Sequence, residues 1–200
     1  LDAGTSTVVF DATTTITGSH TLNNVSLPTT GTRTIADNNT LTVAGTLTLT
    51  DGSINQTTIP ATGSIAAQSH ITQASTFDGG TGRIEITGGN AQTFTGNATT
   101  TAGSLPLIEI DKSGGTLTFT GTIRTAKDWT WTAGTVDATT NDSTVVFRCL
   151  NSLSTLTGSH TLDNVRIDSN SATAFTWTIA SGTTLTVAGN MTVDNTSTGS

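Results

Sequence analysis

Thr40-Leu41-Thr42-Val43-Ala44-Gly45-Thr46-Leu47-Thr48-Leu49-Thr50 alternates polar and aliphatic residues almost without interruption. A period of two is the mark of a half-buried strand. Leu41, Val43, Leu47 and Leu49 are expected to point inward, and Thr40, Thr42, Thr46, Thr48 and Thr50 outward. Thr and Val favour this geometry because a branched Cβ suits a pleated surface and is restricted in a helix. The same pattern returns at Leu117 and Phe119 and at Leu185 and Val187. No stretch sustains a period of 3.6. Asp51-Gly52, Asp78-Gly79-Gly80, Gly88-Gly89-Asn90 and Gly114-Gly115 separate the runs as turns.

Working outward, the strand belongs to a repeat. Gly18-Ser19-His20-Thr21-Leu22-Asn23-Asn24-Val25 matches Gly158-Ser159-His160-Thr161-Leu162-Asp163-Asn164-Val165. Ser6-Thr7-Val8-Val9-Phe10 matches Ser143-Thr144-Val145-Val146-Phe147, and Thr40 to Gly45 matches Thr184 to Gly189. The three matches keep their order. A weaker copy between them uses Arg83 to Ile86, Phe94 to Gly96, Leu107 to Ile110 and Thr116 to Gly121. This divides the chain into about three modules, near 1–76, 77–135 and 136–200, each opening on an apolar residue and Asp: Leu1-Asp2, Phe77-Asp78, Val136-Asp137. Both ends fall inside the repeat pattern, as expected of a mature form or an excised segment.

Near-identical short strands in series predict a single all-β domain over residues 1–200: a right-handed parallel β-helix. With roughly 20 to 25 residues per coil it would have roughly eight to ten coils, at the ~4.8 Å strand spacing.

Composition agrees. Thr is roughly a quarter of the chain, far above ordinary usage. Charged residues are only 10%, which argues against a disordered polyelectrolyte. Net charge is −7, and the seven Lys and Arg are scattered singly. No basic stripe is present to neutralise phosphates, so neither nucleic acid nor an anionic membrane surface is an expected partner. No apolar run is long enough for a membrane-spanning helix, so direct membrane insertion is not expected.

The strings Asn24 to Leu27 with Thr40 to Ile54, Leu107 to Ile110 with Thr116 to Val136, and Asn164 to Ile167 with Thr184 to Val193 cover nearly the whole chain. They resemble repeats of very large bacterial surface proteins, similar to filamentous haemagglutinin and autotransporter passenger repeats. The resemblance implies an extracellular or cell-surface place and a scaffolding or adhesive role. The implied partners are neighbouring repeats, further copies stacked end to end, or surface glycans.

No residues suggest catalysis, a cofactor or a resident metal. His20 and His160 read as turn or surface histidines, since a metal needs further converging ligands. Asp2, Asp78 and Asp137 read as turn residues bonding their own backbone rather than Ca²⁺ ligands. Glu85 and Glu109 are the only glutamates, expected outward in different strands with no second acid nearby. Lone Cys149 reads as a small buried hydrophobe. Seven Asn-x-Ser/Thr triplets are weak support for a glycosylated exterior, given so much Thr.

Two features could bind a surface. Trp129 and Trp131 share one side of a strand, where they either fill the core, the favoured reading, or stack on a sugar. The outward row Thr40, Thr42, Thr46, Thr48 and Thr50 could order water and bind ice if such rows stacked coil after coil. The sequence predicts instead that Thr-rich strands recur once per module, with irregular coils between.

Overall fold

The computed structural model describes residues 4–58, 62–149, 154–169 and 176–195. Among these there is no helix, and every paired strand is parallel to its partner. The chain winds as a β-solenoid of about seven turns, just under the eight to ten expected. Some turns are longer than 25 residues: Thr155 N bonds Asp128 Oδ1 across 27 positions, whereas Asn24 and Thr5 bond across 19.

Three sides can be followed. The first flank stacks Thr7–Val9, Asn24–Leu27, Leu47–Leu49, Ile71–Ala74 and Gln92–Asn97, then the latter part of Leu107–Thr125. The second flank stacks His20–Leu22, Thr40–Val43, Ser64–Ala67 and Arg83–Ile86, then the early part of Leu107–Thr125, Trp129–Asp137, Ser154–Thr157 and Trp177–Ile179. A narrower third side stacks Thr14–Ile16, Thr32–Ile35, Gly52–Gln56 and Phe77–Gly79. Leu107–Thr125 passes through a corner and so belongs to both flanks, which joins them into one 16-stranded sheet.

The alternation read from the sequence sets what lies inside. Leu41, Val43, Leu47 and Leu49 are at most 1% exposed. Val25, Leu47, Ile71, Phe94 and Phe119 form one inward column, and Leu41, Ile65, Ile84, Ile108 and Trp129 another. Each fully buried side chain of this size contributes roughly 1.5–3 kcal/mol relative to exposure. Phe94, Phe119, Trp129 and Phe147 continue edge to face, with centroids 5.9–6.1 Å apart and ring planes 84–90° apart. That is the favoured arrangement for ring quadrupoles. Trp177, half-buried, extends the stack from Phe147 at 4.9 Å.

The sequence repeat has a physical cause at one corner. Thr40 N donates to Ser19 Oγ, and Thr184 N donates to Ser159 Oγ. Thr46 N donates to Asn24 Oδ1, and Asn190 N donates to Asn164 Oδ1. Gly45 and Gly189 fit against these asparagines, where any Cβ would collide with their side-chain oxygens. Ser, Asn and the later Gly therefore work as one clasp between successive turns. The middle copy lacks it and sits differently around the coil. Arg83–Ile86 runs on the second flank, whereas its repeat partners Thr7–Val9 and Thr144–Arg148 run in line with the first.

Candidate functional site

The chain turns a corner at Ala44-Gly45, so the expected single row of threonines is split. Thr40 and Thr42 lie on the second flank, paired with Ser64 and Ala66. Thr46, Thr48 and Thr50 belong to the first flank, where Thr48 pairs with Ser26 and Thr72. The in-out alternation survives because the corner consumes two residues, an even number, and preserves its phase.

On the first flank the threonines stack in a way the sequence reading did not predict. Ser26, Thr48, Thr72, Thr95 and Thr120 are aligned on five successive turns. Thr93 pairs with Thr118 in a neighbouring column, and Asn97, Thr122 and Thr144 continue a third. The expectation that the intervening coils would be irregular is corrected. The irregularity lies in loop lengths, while strand register is held by the inward column beneath. Rows are spaced ~4.8 Å between turns and ~6.8 Å along a strand. Among the described residues only Thr120 of the central column engages the protein through its hydroxyl, accepting from Asn141 Nδ2 at 3.2 Å. His70, exposed, interrupts the column between Thr46 and Thr93, and its Nδ1 accepts from Thr93 N.

The second flank has a different surface. Thr21, Thr42, Ala66, Glu85, Glu109, Thr130 and Thr157 succeed each other outward. Glu85 and Glu109 are direct neighbours in register, which corrects the expectation of no second acid nearby. Arg83 bridges them, with Nη2 2.7 Å from Glu85 and Nη1 3.3 Å from Glu109. The cation is what allows two carboxylates to sit one strand spacing apart.

Trp129 is fully buried within the aromatic stack, so the reading that exposes it to a sugar is corrected. Trp131 is half-buried against the core, and its Nε1 donates to Gly134 O at 3.1 Å.

The other singled-out residues have structural partners. His20 is exposed, with Nε2 2.9 Å from Thr17 O. His160 is half-buried, and Nδ1 lies 2.9 Å from Gly158 O. Burial lowers its pKa, partly offset by that hydrogen bond. Asp137 Oδ1 accepts from Thr139 N and Thr140 N, the self-bonded turn that was expected. Asp78, exposed, forms a backbone bridge to Ser104; Asp2 lies outside the described residues. Cys149 is buried as expected, and burial with the nearby Asp168 charge pushes its thiol up to about 11. No group of three His, Cys, Asp or Glu side chains among the described residues could hold a metal ion.

Three of the scattered cations, Arg33, Lys112 and Arg124, are buried, which the sequence did not signal. Arg33 donates to the carbonyls of Phe10, Thr29 and Gly31. Lys112 Nζ donates to Gly88 O, Asn90 O and Gln92 Oε1. Desolvation lowers the pKa of both, and for Arg33 the charges of Asp51 and Asp11 work in the opposite direction. Each closes a corner where carbonyls point inward, a role that no local spacing encodes.

No family model, curated protein or solved structure matches this chain.

Proposed function

We propose that the chain is a rigid scaffold or adhesive segment of a secreted or cell-surface protein, with no catalysis of its own. The observation that carries this reading is a serial ladder of parallel strands that, among the described residues, leaves apolar side chains open at both ends. At one end Val8, Phe10, Ile16 and Leu22 line an open mouth of about 330 Å³. At the other end Ile179, Met191 and Val193 are 44–70% exposed. Such an end is a strand edge above an apolar column, and a further turn of the same kind covers both. The partner is accordingly a neighbouring repeat or a second copy. The Thr-rich, weakly charged exterior and the resemblance to bacterial surface repeats support the extracellular placement. Small-angle scattering over a concentration series tests it. Stacking predicts particles that lengthen with concentration at constant cross-section. A particle of fixed mass and length at all concentrations would contradict it.

The aligned threonines favour a second reading, an ice-binding flank. Ordered hydroxyls and methyls on a near-regular lattice can hold water in ice-like positions, and the central column carries no charge from Ser26 to Thr120. Thermal hysteresis and crystal shaping check this directly. Activity should be lost in Thr95→Lys and kept in Thr34→Lys, which lies on the third side. Absence of both effects in the folded wild type removes the reading.

A further inference from the structure

The corners 75–78 and 101–104, on adjacent turns, enclose a cleft of about 260 Å³. Arg124 and Arg148, from the next two turns, form part of its wall together with Asp78 and Ser104. The backbone bridge between Asp78 and Ser104 fixes the rim.

Arg124 is only 2% exposed. Its Nη1 donates to Gly103 O, and its Nη2 is 4.0 Å from Asp168, the outer limit of an ion pair. Its Nε is buried with no partner. Arg33 shows how this protein otherwise handles a buried guanidinium: Nε and both terminal nitrogens meet carbonyl oxygens. Arg124 falls short of that, and Arg148 adds a like charge. Burial first, then Arg148, bring the Arg124 pKa down to about 10, with Asp168 acting against them. A buried cation short of partners is costly, and a guanidinium fork matches an oxyanion closely.

We propose that this cleft binds a single oxyanion, a carboxylate or sulfate group, between Arg124 and Arg148. Asp78, exposed on the rim, repels a second negative charge and accepts a hydrogen bond from a hydroxyl beside the first. The ligand chemistry is therefore one acid group with an adjacent hydroxyl, as in a uronic-acid sugar; a free inorganic ion offers only the first part. The site is independent of the role of the open ends.

The test is a titration of the folded chain, followed by amide NMR shifts and calorimetry, with monomeric galacturonate, sulfate and phosphate. Chloride at matched ionic strength is the control. Saturable binding is expected, with shifts centred on residues 75–78 and 101–104. Arg148→Gln and Arg124→Gln should each abolish it, while Arg83→Gln on the second flank should leave it unchanged. Arg148 is less buried than Arg124, so the first variant remains informative should the second fail to fold. Asp78→Asn separates the sources: it weakens galacturonate if the sugar hydroxyl is read, and strengthens every anion if only the acid group is read. A response no larger than that of chloride, or full binding by Arg148→Gln, would overturn the proposal.

Discussion

Asn24 and Asn164 each tie three turns together. Asn24 Nδ2 donates to Thr5 O on the turn before, and its Oδ1 accepts from Thr46 N on the turn after. Asn164 repeats this with Ser143 O and Asn190 N. Replacing either by Ala removes these hydrogen bonds at a corner open to solvent, with an expected cost of about 0.5–1.5 kcal/mol in urea unfolding. The two sites share no partners, so the double variant should show the sum. His160 gives a pH dependence of definite sign. Its folded pKa lies below the unfolded value, so between the two the unfolded chain binds more protons. Stability is full above about pH 6.5 and falls as pH drops through the window between them. Thermal unfolding at several pH values should show this loss in the wild type and a smaller loss in His160→Gln.

At the scale of the strand, the aromatic column is the part of the core that tolerates least. Phe119 touches Phe94 on one side and Trp129 on the other, both edge to face. Phe119→Ala should cost about 3–5 kcal/mol in a denaturant melt, since the rings on either side cannot collapse into the space. Beside it, Gln73, on the turn preceding Gly96, bonds Arg124 N and O one turn beyond Gly96. Individual strands were legible because Thr-Leu-Thr-Val alternation and Gly turns are local signals. The corner at Ala44-Gly45 was not, because the alternation continues in phase across it and Ala-Gly is a weak turn signal. Stacking of Thr72 on Thr48, or Glu109 on Glu85, depends on the length of the intervening loop, which composition does not set. The buried Arg33, Lys112 and Arg124 were hidden for the same reason, since the carbonyls that Arg33 and Lys112 meet come mostly from other turns.

At the scale of the whole molecule, each turn rests chiefly on its neighbours, and the account stands or falls on that serial stacking. Thr21 and Thr157 are far apart in sequence, yet they occupy the same outward column, linked through Thr42, Ala66, Glu85, Glu109 and Thr130. Both are exposed and accept a spin label without touching the core. Six steps at the strand spacing place their backbones about 29 Å apart. Thr42 lies one step nearer to Thr157 in the same column. The direct measurement is pulsed electron–electron resonance on two doubly labelled chains, one carrying labels at Thr21 and Thr157, the other at Thr42 and Thr157. Each should give one narrow distribution, the first near that length and the second shorter by one strand spacing. Distances that are broad, or that fail to shorten by that step, would contradict a chain wound turn upon turn.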